Sequence, residues 1–298
     1  MSKKKKTKRN NSSNGLDATV VSAILLAMFK SKPRLVVVAC ILIVIISIIM
    51  PARCNENECG LNSAVYGESE LAYVITNPEL DSRLIEYSGM TISFNQTMHV
   101  PNWVAYELTA DEADGTEPRY NKFMVDENVS GCATPDDYRN TGFDRGHMAP
   151  AADMKWSQQA MMESFYMTNI APQANVLNRG TWSKLEDKCR GRARKDSAVI
   201  IISGPVLNAD EIKMHIGANG VAVPSRFFKV ILSPYTNPPV AIGFIVPNGP
   251  VEGGMQACAV TVDSVESVTG HDFFSALPDD IETAIESKVN FNKWSRLK

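Results

Sequence analysis

An acid, a guanidinium, a glycine and an imidazole stand side by side in the run Asp144-Arg145-Gly146-His147, followed by Met148-Ala149-Pro150. Histidine, with an unperturbed pKa of ~6.5, can take a proton from water near neutrality. The planar fork of Arg145 can hold a phosphate. Gly146 carries no side chain, so a bulky substrate is expected to approach the backbone there. The same residue types also build an ordinary polar loop held by local ion pairs, and this run alone does not choose between the two.

A second polar cluster, Thr168-Asn169-Ile170-Ala171-Pro172-Gln173-Ala174-Asn175-Val176-Leu177-Asn178, leads through Trp182 to Glu186. Asn178 and Glu186 are eight positions apart, two helical turns with an offset of about 80°. On adjoining sides of one helix, both can reach a single ion through its water shell. An asparagine oxygen is a hard, neutral ligand suited to Mg²⁺, which keeps several waters and takes few protein ligands. The commoner use of an Asn-rich turn is to cap a helix.

The remaining histidines are His99, His215 and His271, in a turn, after a charged stretch and at a helix boundary. Their scatter speaks against a poly-histidine metal site. Of six cysteines, Cys40 lies in an apolar run. Cys54, Cys59, Cys132, Cys189 and Cys258 form no Cys-x-x-Cys pair, so a zinc ribbon is not expected. In an exported domain one or two disulfides would form, with one thiol left over.

The elements that must position these residues read as one body after Pro51. Short β-like runs fall at Thr91–Phe94, Trp103–Leu108, Ala198–Ser203, Phe227–Leu232 and Ala241–Val246. Helical patterns fall at Gln158–Phe165, Arg179–Arg192 and Ile281–Trp294. Strands and helices are interspersed with turns too short for repeated crossovers. The expected fold is mixed α+β, with a largely antiparallel central sheet flanked by helices.

The front of the chain is different. Residues 1–34 form a basic tail, and Leu35–Met50 is apolar except for Ser47, extending to eighteen residues with Pro51 and Ala52. That length meets the lower limit of a spanning helix. A cleaved signal peptide and a buried helix are the alternatives. The long polar leader and the poor cleavage site Pro51-Ala52-Arg53 favour an uncleaved single-pass anchor, residues 35–52. The Lys/Arg excess before it places the N-terminus in the cytoplasm and exports the rest. A short stalk, 53–61, and a domain, 62–298, complete the expected organisation.

Residues 1–39 hold nine Lys/Arg and one acid out of totals of 30 and 33 in the 298-residue chain, which leaves residues 40–298 at −11. An acidic body argues against high-affinity coating of nucleic acid, but leaves room for a small basic cleft.

Together and in this order, Asp144-Arg145-Gly146-His147 with Ala149-Pro150, Asn169-Ile170-x-Pro172-Gln173, and Asn178 with Trp182 and Glu186 resemble the DNA/RNA non-specific endonuclease family, the ββα-metal nucleases. The likeness extends from about residue 62 to about 275, leaving out the tail and anchor. It implies a ββα-metal motif and Mg²⁺-dependent hydrolysis of DNA and RNA to 5′-phosphate and 3′-hydroxyl ends, with Mn²⁺ as a substitute ion. His147 would be the general base and Asn178 the direct metal ligand. Glu186 would orient water around the ion. Arg145 would support the site or the phosphate, and Asn169 would position the histidine segment and the metal's waters. Arg119, in Pro118-Arg119-Tyr120, resembles an upstream arginine that stabilises the phosphorane; its spacing to Asp144 is variable in the family. Relatives are often dimers, so a homodimer is among the expectations. Two rival readings are an idle, membrane-bound nucleic-acid receptor and a metal-dependent phosphodiesterase for small or lipid substrates.

Overall fold

The computed structural model describes residues 71–297, all within one compact unit, Cys59–Lys298. The expected tail, anchor and stalk, with Cys40, Cys54 and Cys59, lie outside the described residues. Among the described residues no helix is long and apolar enough to cross a membrane.

Among the described residues thirteen strands are numbered in chain order: β1 Val74–Ile75, β2 Arg83–Tyr87, β3 Met90–Asn95, β4 Val100–Thr109, β5 Phe143–His147, β6 Ile170–Ala174, β7 Ala198–Pro205, β8 Ile212–Ile216, β9 Val221–Pro224, β10 Arg226–Ser233, β11 Val240–Pro247, β12 Ala259–Val260 and β13 Asp272–Phe273. Seven of them form the central sheet in the order β12-β11-β10-β7-β4-β3-β2, every neighbouring pair antiparallel. All five β-like runs of the sequence are in this sheet. The structure is thus mixed α+β around a large antiparallel sheet.

The sheet is covered on both faces. In β7, Val199 and Ile201 point into one core while Ile200 and Ile202 point into the other. Phe227 and Ile231 of β10 share the first core, and Phe228, Val230 and Leu232 the second. Alternation of side chains across a strand then buries every position, which explains the unbroken apolar runs.

The helix Ser183–Asp196 covers the first face through Leu185, Cys189 and Ala193, spaced four apart on one stripe. The helix Val262–Thr269 covers the second through Val262 and Val265. The expected helix Ile281–Trp294 is instead two, Asp279–Glu286 and Phe291–Ser295. Asn290 begins the second by accepting from the Lys293 N–H, 2.9 Å away. Such an asparagine offers the backbone a cap that competes with continuing the helix.

Candidate active site

Strands β5 and β6 form a separate antiparallel pair, with Asp144 opposite Gln173 and His147 opposite Ile170. Chain residues 175–196 then return as a short helix Asn175–Leu177, a π-helical turn Asn178–Trp182 and the long helix Ser183–Asp196. This is a ββα unit. The straight-helix offset expected between Asn178 and Glu186 does not hold, because the wide turn and the kink at Gly180 (φ −108°, ψ −109°) change the phase. Single π turns of this kind often occur at functional sites.

The unit is fixed to the sheet by specific bonds. Ser203 of β7 donates to the Met148 carbonyl at 2.8 Å. The Trp182 indole N–H donates to the His147 carbonyl at 3.3 Å. Asn248 donates to the carbonyls of Pro172 (3.0 Å) and Pro224 (2.9 Å) and accepts from the Ala174 N–H (2.7 Å). Nothing in the sequence alone marked Asn248.

One cleft of about 570 Å³ is lined by Arg119, Asp144, Arg145, His147, Asn178, Arg179, Glu186 and Arg190, among others. It brings together every site residue read from the sequence except Asn169. That side chain is fully buried below the cleft. Its oxygen accepts from the Ala149 N–H at 2.9 Å, and its amide donates to the carbonyls of Ala149 (2.9 Å) and Ser164 (2.8 Å). It therefore positions the segment after His147. All the side-chain bonds it makes here are to backbone groups of Ala149 and Ser164.

Gly146 also differs from expectation. A Cβ there would lie 2.2 Å from Oε1 of Gln173, itself fully buried. The glycine makes room for a packed side chain rather than for substrate.

The His147 ring lies against Phe165 (centroids 5.0 Å apart, near-perpendicular) and Phe123 (5.3 Å). Its Nε2 is buried without a hydrogen-bond partner. Aromatic packing holds the ring. Burial, with the Arg119 charge adding to it, pushes its pKa down to about 3. The imidazole is neutral at pH 7, the form a general base requires.

Asn178 donates from Nδ2 to Asp144 Oδ2 at 3.0 Å. The same carboxylate accepts from Asn175 (3.2 Å) and Arg179 (3.3 Å). Asp144 thereby selects the amide orientation of Asn178, a role the sequence did not disclose. Burial pushes the Glu186 carboxyl up to about 8, Asp153 and Asp187 adding to it, against the pull of Lys229 and Arg190.

Arg119 and Arg145 rest over the rings of Phe165 and Phe123, at 4.9 and 4.7 Å from the centroids. Arg190 is pinned by Asp153 at 2.6 Å, a buried acid that also accepts from the Tyr106 hydroxyl at 2.7 Å. Beneath the cleft, Lys229 is fully buried with its ammonium 4.5 Å from the Trp182 ring centroid. Cys132, Cys189 and Cys258 are all free thiols. The three other histidines stand outside the cleft: His99 bonds to the Gly131 carbonyl at 2.7 Å, and His271 packs beside Phe228 and Phe273.

An imidazole, an amide oxygen, a carboxylate and four arginines thus stand around one solvent-reaching cleft on a ββα frame. The family model for DNA/RNA non-specific endonuclease matches residues 67–280. The chain belongs to that family. It is 38% identical over 216 residues to the nuclease EXOG, mitochondrial, of Danio rerio, covering 67% of this chain and 63% of the relative. It is 34% identical over 231 residues to nuclease C1 of Cunninghamella echinulata var. echinulata, covering 72% and 91%. A chain in the crystal structure of the EndoG/EndoGI complex superposes with a TM-score of 0.62 at 30% identity, covering 67% of this chain and 89% of that one. The match thus spans less than two thirds of the zebrafish relative's length.

Proposed function

We propose that this chain is a metal-dependent nuclease that hydrolyses phosphodiester bonds in DNA and RNA, leaving 5′-phosphate and 3′-hydroxyl ends. The observation that carries the reading is the convergence of His147, Asn178, Glu186 and four arginines on one cleft. Family membership supports it.

The donor set fits hydrated Mg²⁺, with Mn²⁺ as a substitute. Asp144 occupies the Asn178 NH₂ group, which leaves Oδ1 for an ion. Burial raises the Glu186 carboxyl even with Lys229 and Arg190 acting on it, and a cation in the cleft would favour its ionised form. Magnesium takes one or two protein oxygens and keeps its waters. When bound, the ion supplies positive charge to the scissile phosphate and the leaving O3′.

The remaining work belongs to the chain. Arg119 and Arg145 dock the phosphate and offset the charge that grows on its oxygens. The neutral His147 takes the proton from the attacking water. In the free protein it is a weak base, but an incoming phosphodiester brings negative charge beside it and answers Arg119, raising its basicity. Glu186 orients water within the cleft. Contacts made mainly to phosphates give little discrimination between bases. A homodimer belongs to the same proposal and rests on the resemblance alone.

His147→Ala is expected to abolish plasmid nicking while thermal unfolding stays cooperative. Near-normal nicking by that variant, or full wild-type nicking in EDTA, overturns the proposal.

We also propose that residues 35–52 anchor the chain in a membrane, with the basic tail on the cytoplasmic side and the nuclease domain across it. Support is the apolar run and the Lys/Arg excess before it. The zebrafish relative and the Schizosaccharomyces pombe relative are named as mitochondrial, which makes an organelle membrane one setting for this topology. Protease protection of the C-terminal domain in intact cells or organelles tests it; ready digestion from the cytoplasmic side contradicts it.

A further inference from the structure

On the sheet face away from the ββα unit, carboxylates converge where the helices Val262–Thr269 and Asp279–Glu286 meet β13. One oxygen from each of Asp263, Glu266 and Glu286 lies within 4.8 Å of the others. Asp272 and Glu282 add negative charge close enough to act on Glu286. Among the described residues no Lys or Arg forms an ion pair with any of the five. The second observation is independent of clustering: Glu286 is only 5% exposed, and its Oε1 is buried with no hydrogen-bond partner.

Local physics makes this arrangement costly. Asp263 and Glu266 are three apart on one helix, and Glu282 and Glu286 are four apart on the other, so like charges stand one above the other. Glu286 is the last residue of its helix, where the helix dipole is already negative. A buried carboxylate with no donor and no counter-ion loses its hydration and regains nothing. The backbone N–H of Phe273 gives Glu266 one bond at 2.8 Å, too little for the group as a whole.

We propose that Asp263, Glu266 and Glu286 bind a divalent cation of the calcium class, which fastens the two helices together. Calcium takes six to eight oxygens at roughly 2.3–2.6 Å in flexible geometry, a shell that spans the separation seen here. Magnesium in all-protein sites prefers fewer carboxylates and a strict octahedron at roughly 2.0–2.1 Å. Asp263 is exposed, which gives the ion an entry path and room for waters. The site goes beyond the nuclease proposal and shares no residue with the catalytic cleft.

The test uses the full-length chain stripped with EDTA and titrated with calcium chloride by calorimetry, alongside thermal unfolding. Asn178→Ala removes the proposed catalytic ligand and is expected to retain one calcium site and a calcium-dependent rise in Tm of several degrees. Glu266→Gln/Glu286→Gln added to that background is expected to lose both, and Asp263→Asn to weaken the site several-fold. Glu266→Gln/Glu286→Gln alone is expected to nick plasmid in Mg²⁺ as wild type does, which separates this site's fate from that of the nuclease reading. Absence of calcium binding in Asn178→Ala, or equal binding with and without Glu266 and Glu286, overturns the proposal. So does a pair of acids that merely share a proton: Glu286→Gln would then raise Tm with calcium making no difference.

Discussion

Asp144→Asn tests whether a carboxylate outside the direct ligand set controls the metal site. The wild-type carboxylate accepts from Asn178 at 3.0 Å, Asn175 at 3.2 Å and Arg179 at 3.3 Å. The Arg179 side chain is 72% exposed and that of Asp144 is 23% exposed, so their ion pair adds at most about 1 kcal/mol. The Asn178 bond matters for a different reason. Turning that amide over would set its oxygen against a carboxylate, so the flip costs a charge-assisted bond, about 1.5–3 kcal/mol, before any repulsion. An asparagine at position 144 accepts and donates alike and removes this preference. Loss of an orienting partner typically weakens metal affinity about 10–100-fold, or roughly 1.4–2.7 kcal/mol. The expected result is a shift of that size in the Mg²⁺ concentration for half-maximal nicking. Saturating Mg²⁺ should restore nicking to within a few-fold, because His147 makes no bond to Asp144. A titration within two-fold of wild type, or a loss that saturating Mg²⁺ does not repair, refutes the reasoning.

Three further outcomes follow from the same geometry. Asn169→Ala leaves three buried backbone groups of Ala149 and Ser164 without partners, at a cost of about 3 kcal/mol or more. In a domain of this size that lowers Tm on the order of 10 °C, and a drop under 2 °C would show that Asn169 is not the latch. Because burial holds the Glu186 carboxyl at about 8 without metal, protons compete with the ion below that pH. Apparent Mg²⁺ affinity should rise from pH 6 to 8 and level above it; Glu186→Gln should flatten the profile, and an unchanged profile counts against the role. In the metal-free chain the same raised carboxyl contributes stability that is full below about pH 4.5, its ordinary value, and lost as pH climbs through about 8. Lys229→Met removes the cation that draws Glu186 down, so the Mg²⁺ profile should move to higher pH. A profile that stays in place would mean that the Lys229 charge is spent elsewhere.

Legibility in the sequence followed local pattern and failed where partners are distant. The five central strands were readable because each is a short β-branched or aromatic run punctuated by turns. Strand β2, Arg-Leu-Ile-Glu-Tyr, was not, since it lies at the sheet edge and only two of its five residues are partly shielded. Strand β5 was visible as chemistry and invisible as a strand, because Asp-Arg-Gly-His has no β pattern and is held by pairing with β6. Spacing allowed Asn178 and Glu186 to meet at one ion and the family resemblance assigned their roles, although the true path between them includes a π turn that no helical count anticipates. Asp144, Asn248 and Lys229 went unassigned for one reason: each acts through a residue more than thirty positions away or on another layer. Gly146 was misread because an empty Cβ position looks alike from the sequence whether substrate or Gln173 fills it.

The acidic body and the arginine-lined cleft can be reconciled by counting which arginines are free. Arg190 is tied to Asp153 and Asp187, and Arg179 to Asp144. Arg119 and Arg145 form no ion pair among the described residues and present their guanidinium groups over Phe165 and Phe123. A phenylalanine face orients a guanidinium without neutralising it, leaving the charge for a phosphate. Two such contacts predict a slope of about −2 when the logarithm of duplex-DNA affinity is plotted against that of salt, near −0.9 per phosphate. A protein that coats DNA makes roughly 6–10 such contacts and falls far more steeply. The net charge of −11 over residues 40–298 adds repulsion outside the cleft and favours release of cleaved ends. Binding by the His147→Ala variant, measured across a salt series in calcium to prevent cleavage, gives the slope directly. A value steeper than about −4 would mean that a wider basic surface engages the backbone and that the cleft arginines are not the main electrostatic contact.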